Sequence, residues 1–563
     1  MIINAADIDD NETIQVDICI VGTGPAGLTL ASELSNLPLK VCLLESGDSL
    51  FKEETQSLYA GEVDSPHYPH DELLIGRCRQ LGGSSNFWEI QVDEAEASQG
   101  ILHVRHVIPD EIDFQKREEI PYSGWPFQRQ DLMPYYERAH NICQIGPLDY
   151  SPHFWETSER KELDFGDDRA ESRIFQFGLR SIFFNNYTKA LSQVSNVDIY
   201  TNAHVVELLT NTDGKVIEKV KVAITADKGF WVSAKTVVLA TGGMENARLL
   251  LLSRSVSPSG IGNEHDLVGR FFMDHPGTRF GIFKPSSKAV FDSLGLYDLH
   301  KVRGTALMAK FGFSEQVLRE EKLNNFCVSL MPKVKGLETQ AVVYFRRFTQ
   351  SIRKGALSGE TLAYLKKSLP NFADVVNYTW SRLQNQEQPF YGPSRGGWFD
   401  LPDRDTRFFA FELGAQTEQT PNPDNRVMLG DKRDFLGNPC TKLRWSWNQS
   451  DLASIRRSQE IFRDVIAKSG LGEFQPQFEL DMGGTPFVVS THHHIGTTRM
   501  HVDPAQGVVD ANCQVHGVAN LFIAGSSIFP TGLGYANPTL TIVALATRLA
   551  DHLKQGHGQE ISM

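Results

Sequence analysis

The chain lacks most of the marks of a secreted, membrane-spanning or nucleic-acid-binding protein. Its seven cysteines, Cys19, Cys42, Cys78, Cys143, Cys327, Cys440 and Cys513, include no Cys-x-x-Cys pair among 563 residues. An odd, dispersed count fits reduced thiols rather than a disulfide framework. No apolar run approaches the roughly 18 residues that a membrane span needs. There is no surplus of cations either: 55 Lys and Arg stand against 69 Asp and Glu, a formal net charge of -14. That balance argues against a nucleic-acid partner and mildly against an anionic membrane surface. Met1 to Asp17 is acidic and has neither the basic start and apolar run of a signal peptide nor a twin-arginine sequence, so a cytoplasmic location is expected.

What is present begins with Val16-Asp17-Ile18-Cys19-Ile20-Val21, a short β-branched run leading into Gly22-Thr23-Gly24-Pro25-Ala26-Gly27 and a helical pattern from Leu28 to Leu37. A second apolar run, Val41 to Leu44, ends in Glu45. Strand, glycine turn, helix, strand and acid together make a dinucleotide-binding βαβ unit, where the glycine motif alone would be weak evidence. Gly22, Gly24 and Gly27, with Pro25 and Ala26, permit a tight turn and close approach to a pyrophosphate whose charge the helix N-terminus stabilises. Glu45 is placed to accept from ribose hydroxyls, which favours FAD or NAD over a phosphorylated ribose.

Near the other end lie Thr491-His492-His493-His494-Ile495-Gly496-Thr497 and, some forty residues on, Gly534-Tyr535-Ala536-Asn537-Pro538-Thr539. Oxidising an alcohol requires a group that takes the hydroxyl proton, and a histidine with a pKa near neutrality suits that task. An amide can hydrogen-bond the developing alkoxide without competing for the proton. Side chains cannot accept a hydride, so the acceptor has to be a cofactor. Consecutive histidines on an extended chain point to opposite faces, and no Cys, Asp or Glu follows at ligand spacing, so no metal is expected.

These segments resemble the glucose-methanol-choline (GMC) oxidoreductases, FAD-dependent alcohol oxidases and dehydrogenases. The resemblance covers Val16 to about Gly277 and Thr491 to Leu553. It implies that His493, three residues before Gly496, is the base and that Asn537 is the second site residue, with hydride passing to flavin N5. His494 is the rival base, one residue off in register. The run around Asn537 is most similar to the branch containing pyranose 2-oxidase and related sugar oxidases, so a sugar, glycoside or other secondary alcohol is the expected substrate. Dioxygen, a quinone or another acceptor would reoxidise the flavin. GMC-fold lyases and photoenzymes, which keep FAD without net alcohol oxidation, are the alternative.

The same resemblance assigns the rest of the flavin site. Gly82-Gly83-Ser84-Ser85-Asn86 would run along the flavin and pyrophosphate, Val206 (or Val205, one residue away) would meet the adenine, and Thr241-Gly242 would pack beside the dinucleotide. Gly525-Ser526 would make a second contact, and Pro538-Thr539 would open a final helix aimed at the flavin pyrimidine. Phe87 stands where some sugar-oxidising relatives carry a His bonded to the flavin, so non-covalent FAD is expected. His275, in Met273-Asp274-His275-Pro276, is read as a structural hydrogen-bonding residue.

The implied fold is α/β (α+β overall): a Rossmann-like FAD domain of residues 14–105, 190–277 and 488–563, interleaved with a substrate domain of 106–189 and 278–487 on an antiparallel sheet. Phe409, Phe411 and Leu413 mark one face of a strand in that sheet. Residues 346–384 read as a basic helical excursion broken at Pro370, and Gly556 to Met563 as a loose tail.

Overall fold

A computed structural model describes residues 1–65, 67–68, 72–334, 340–353, 359–369, 372–373, 375–376, 379, 395–477 and 490–561. Its first sheet is built on Thr13–Val21, whose apolar residues are buried on both faces, as in a strand covered by helices. Thr13–Val21 lies parallel to Val41–Leu44 on one side, with Ile18 opposite Val41, and to Gly229–Leu239 on the other, with Val21 opposite Leu239. Val197–Thr201 and Ile2–Asn4 extend the sheet beyond Val41–Leu44. Leu521–Ile523 joins Gly229–Leu239 from almost 300 residues downstream, and Ile217–Ala223 and His204–Thr210 complete eight strands. The C-terminal ends of Val21, Leu44, Leu239 and Ile523 thus converge on one edge, where ligands bind in open α/β sheets.

A second eight-stranded sheet is antiparallel, ordered Gly472–Pro476, Gly277–Pro285, Phe408–Thr417, Phe326–Val334, Thr305–Phe313, Ala170–Leu179 and His103–His106, with His300–Val302 beside Thr305–Phe313. One face buries Phe280, Phe311, Phe326, Phe411 and Leu413 against the helix Gln449–Ser469, an amphipathic helix started by a capping box between Asn448 and Asp451. The other face turns toward the first sheet: Phe175 packs on Tyr535, ring centroids 5.7 Å apart, and Gln416 donates to the Tyr535 carbonyl at 2.7 Å.

Several elements differ from expectation. His103–His106 belongs to the second sheet, and Ile2–Asn4, outside the expected domain bounds, belongs to the first. The helix Arg129–Cys143 packs on the final helix through Tyr136 and Thr541, whose hydroxyls are 2.9 Å apart, so this part of 106–189 rests on the flavin-domain side. A register shift between Lys333 and Val334 puts Phe408 in the core and leaves Phe409 42% exposed, because a bulge breaks the simple alternation. The final helix runs from Pro538 to Ile561, so the segment after Gly556 is no loose tail up to that point; buried His557 lies 3.1 Å from the Thr236 hydroxyl and ties the last turns to the sheet. In the basic stretch, helices occupy Gln340–Arg353 and Gly359–Ser368, while Pro370 lies outside the described residues. No described helix is long and apolar enough to cross a membrane.

Candidate active site

Where the parallel strands end, a cavity of about 860 Å³ opens between the two sheets. The turn after Thr13–Val21 lines its floor. Gly22 has φ +102°, and a Cβ there would stand 2.6 Å from the Ala240 carbonyl oxygen, so the crossing of the two strands admits only glycine. The helix Pro25–Leu34 begins at Gly24 with proline in its first turn and no side-chain cap. Its first N–H groups are therefore left to an anion, and a Cβ on Gly24 would meet nothing within 4 Å. Gly242 and Gly525 are open in the same way, so three backbone turns border unfilled space.

Glu45 closes one end of the cavity. Its carboxylate accepts from the Thr23 N–H at 3.0 Å, the Thr23 hydroxyl at 2.6 Å and the Gly47 N–H at 2.7 Å. Burial raises its pKa, which these hydrogen bonds offset in part. A carboxylate offers about four lone pairs, so acceptor capacity remains for a ribose.

His493 and Asn537 meet at the other end. His493 Nε2 is 3.0 Å from Asn537 Nδ2, and Asn537 Oδ1 is buried without a hydrogen-bond partner. His493 Nδ1 is 2.8 Å from His275 Nδ1 and 3.0 Å from the Thr491 hydroxyl. His275 is fully buried, and its Nε2 lies 2.5 Å from the Gly532 carbonyl oxygen. A carbonyl only accepts, so His275 donates from Nε2 and, being neutral, leaves Nδ1 as an acceptor. His493 then donates from Nδ1, and its Nε2 carries a lone pair facing Asn537 and the cavity. Burial, followed by the neighbouring His275, holds the pKa of His493 well below the ordinary histidine value. Burial likewise lowers that of His275.

Asp274 anchors this segment. Its carboxylate accepts from the N–H groups of His275 (2.7 Å) and His493 (3.0 Å) and the hydroxyls of Thr491 (3.0 Å), Ser490 (2.7 Å) and Tyr68 (2.8 Å). Burial alone would raise its pKa, but His494, His493 and these donors bring it well below the usual carboxylate range. His492 has φ +62°, which departs from the extended chain expected here. Even so, His492 and His494 turn away from His493 and both reach one Glu72 oxygen, at 2.6 and 2.9 Å. His494 thus has a carboxylate partner where His493 has an amide. Gly243 lets this segment pass: a Cβ there would lie 2.1 Å from the His494 carbonyl oxygen.

Glu72, Asp274 and His494 bring three metal-capable atoms within 4.8 Å of one another, a grouping that spacing along the chain conceals. The Asp274 oxygens are already engaged by O–H and N–H donors, the environment of a hydrogen-bonded anchor.

Of the residues singled out by sequence, Gly22, Gly24, Pro25, Ala26, Glu45, Gly83, Ser84, Thr241, Gly242, Gly525, Ser526, Pro538, Thr539, His493 and Asn537 line the cavity. Five do not. Gly27 packs on the Gly22 carbonyl, and Gly82 packs against Phe184. Ser85 donates to the Gly82 carbonyl at 2.7 Å, and Asn86 donates to Leu81 and Gly83 carbonyls, so both hold the turn rather than face the space. Val205 lines the cavity in place of Val206, because the bulge between Val205 and Glu207 resets the register. Sequence reading missed Glu72, Tyr59, Arg79 and Arg105, which no motif marks.

Glycine turns at strand ends, a helix N-terminus without a cap, a buried acid and a cavity reaching a histidine–amide pair fit an extended dinucleotide with its reactive end at His493. That is the architecture of an FAD-dependent oxidoreductase. Residues 17–259 match the FAD dependent oxidoreductase family and residues 421–546 the GMC oxidoreductase family. The chain thus carries a GMC oxidoreductase C-terminal domain together with an FAD-dependent oxidoreductase domain. It is 28% identical to the fructose dehydrogenase large subunit of Gluconobacter japonicus over 97% of this chain and 100% of that one. It is 23% identical to 6'''-hydroxyparomomycin C oxidase of Streptomyces lividus, over 95% of this chain and 92% of that one. A formate oxidase variant of Aspergillus oryzae RIB40 shares the fold at a TM-score of 0.51 and 18% identity, covering 98% of this chain and 100% of that one.

Proposed function

We propose that this enzyme oxidises a CH–OH group of a sugar, glycoside or other secondary alcohol, with His493 as the base and Asn537 as the group that orients the substrate oxygen. The observation that carries this reading is the chain of contacts from the Gly532 carbonyl through His275 to His493 Nδ1, at 2.5 and 2.8 Å, from which a His493 tautomer with an unprotonated Nε2 toward the cavity follows. A donor hydroxyl that takes the place of the Asn537 NH2 at Nε2, 3.0 Å away here, gives its proton to that lone pair. The Asn537 NH2 donates to the same oxygen as negative charge develops there. Bound FAD supplies the acceptor for the hydride that leaves carbon.

In this reading the uncapped turn at Gly24 and Pro25 holds the pyrophosphate, Glu45 the ribose, and the strand at Val205 the adenine. Gly525, Ser526, Pro538 and Thr539 border the flavin. Phe87 offers no atom for a covalent link, which supports non-covalent FAD. The named relatives, a fructose dehydrogenase and an aminoglycoside oxidase, support a sugar-type donor. Dioxygen, a quinone or another acceptor closes the cycle.

The test is the absorption spectrum of the purified protein during anaerobic addition of sugars, glycosides and simple alcohols, and again after admitting air. Flavin bands that bleach with a CH–OH donor support the reading. Return of the bands in air identifies an oxidase, and bleaching that persists identifies a dehydrogenase. A protein that holds FAD but bleaches with none of these donors refutes it.

A further inference from the structure

The wall opposite the glycine turns carries an arginine that has no carboxylate partner among the described residues. Arg105 lies on His103–His106, at the edge of the second sheet, opposite Phe177. Phe175 lies opposite Met308, and Arg173 opposite Lys310. Opposed residues share a face, as do residues two apart, so Arg105, Phe175, Arg173 and Lys310 all project from the face that packs on Tyr535, two residues before Asn537. Arg173 pairs with Asp110 and Glu171. Arg105 has no such partner. Its Nε is buried without a hydrogen bond, and no carboxylate pairs with it among the described residues. Lys310 is 1% exposed, and among the described residues its ammonium meets the Cys327 sulfur at 3.7 Å and the Phe175 ring at 4.1 Å.

Several buried arginines hold a carboxylate: Arg77 holds Glu245 at 2.8 Å, Arg117 holds Glu418 at 2.6 Å, and Arg248 holds Asp434 at 2.8 Å. Buried Arg499 has none, but it donates to the Tyr122 carbonyl at 2.6 Å and lies over the Phe271 ring, whereas half-buried Arg105 lines the cavity. An unpaired cation in low dielectric is expensive, and a protein retains one where a ligand brings the anion. Arg105 faces the cavity and sits close enough to His493 to help depress its pKa. Burial brings the Lys310 ammonium down to about 7, so an anion placed beside it would also restore its charge.

The nearby acids are otherwise engaged. Glu72 is held by His492 and His494, Asp274 by its five donors, and Glu89 is largely exposed, 3.8 Å from Arg180. The pyrophosphate of the dinucleotide falls to the turn at Gly24 on the other sheet, and the helix beginning at Pro538 already offers its N-terminus to the flavin pyrimidine. The remaining candidate for the anion is the substrate.

Resting on the CH–OH reading above, we infer that Arg105, backed by Lys310, binds a carboxylate of the substrate, so that the donor is a hydroxy acid or sugar acid rather than a neutral sugar. A guanidinium presents a planar fork that matches a carboxylate with two parallel hydrogen bonds.

The experiment pairs acids with neutral counterparts: gluconate and glucuronate against glucose and sorbitol, with glucose 6-phosphate as the phosphate arm. Flavin reduction is followed anaerobically in wild type, Arg105→Gln and Arg105→Lys. Binding of succinate, which offers no CH–OH, is followed by thermal shift and by the flavin difference spectrum. The acids should be preferred, and Arg105→Gln should cut the preference for acid over neutral donor about 10- to 100-fold, the range for a hydrogen bond to a charged group. Arg105→Lys should keep part of it. Succinate should stabilise the wild-type holoenzyme and lose that effect in Arg105→Gln. Neutral donors oxidised as well as acids, with no Arg105-dependent succinate binding, would overturn the inference and leave the CH–OH reading standing. So would preference for the phosphate alone, or an Arg105→Gln protein with an altered flavin reduction potential and unaltered donor preference, since the charge would then serve the flavin. Arg105-dependent succinate binding with no donor oxidised would support the anion site and refute the CH–OH reading.

Discussion

Replacing His275 with phenylalanine tests the base assignment through a residue that never meets the substrate. The ring volume is kept, but the acceptor that holds the His493 Nδ1 proton at 2.8 Å is gone. Only the Thr491 hydroxyl, at 3.0 Å, remains to receive it; its single proton goes to Asp274 or the His275 carbonyl and its lone pairs can accept, so the Nδ1 proton keeps one partner where it had two. His493 is then free to carry its proton on Nε2, where it cannot accept one from a donor hydroxyl. The energy that selects the productive tautomer is that of one buried hydrogen bond, about 1 to 3 kcal/mol. At about 1.4 kcal/mol per tenfold, the rate of flavin reduction should fall about 5- to 150-fold. Anaerobic stopped-flow at saturating donor measures that rate directly, and the flavin spectrum reports whether the site is intact. His275→Asn, whose amide oxygen can accept, should recover part of the loss. A His275→Phe protein that binds FAD and is reduced at the wild-type rate would refute the tautomer argument. Loss as complete as that of a His493 deletion would also refute it, because a positioning residue should leave residual base catalysis.

Other outcomes follow from the same geometry. His493→Ala should retain FAD and lose about two to four orders of magnitude in the reductive rate, the span of general base catalysis, whereas His494→Ala, whose side chain is turned to Glu72, should lose far less. The pKa of His493 lies well below the ordinary value, so the reductive rate should stay flat as pH falls through about 6.5, without the inflection of a free histidine. The unfolded chain does take up that proton near pH 6.5 while the folded chain does not, so global stability should decline below that pH in a denaturant titration. Asp274 has the opposite sign of shift to a buried acid without partners: its contribution is present above the unfolded value of about 3.9 and is lost as pH falls below it. Asp274→Asn should therefore destabilise the protein at pH 7 by about 2 to 3 kcal/mol, seen in urea unfolding, because an amide NH2 would face donors where an oxygen accepted. Glu45→Gln should raise the FAD dissociation constant and leave the reductive rate of the reconstituted enzyme close to wild type.

Much of the flavin side was legible because it is local. The strand before Gly22, the uncapped helix at Pro25 and the acid at Glu45 fall within thirty residues of one another, so period, turn chemistry and spacing reveal them together. Its errors were of register. Val205 replaces Val206 and Phe408 replaces Phe409 because each strand carries a bulge, and a bulge depends on the partner strand. The final helix was read too short, since the His557 contact to Thr236 spans more than 300 residues.

The sequence by itself pointed to a Rossmann-like dinucleotide turn, because strand, glycine turn, helix and acid are read from local backbone preferences. The choice of His493 and Asn537 rested on the resemblance to the GMC oxidoreductases. All three consecutive histidines line the cavity, and which of them meets Asn537 was decided only in the folded chain, where Glu72 engages His492 and His494 while Asp274 and His275 hold His493. Arg105, without a carboxylate partner among the described residues, was equally invisible, because whether a charge is paired depends on what the neighbouring strands bring beside it, and no spacing along the chain records that.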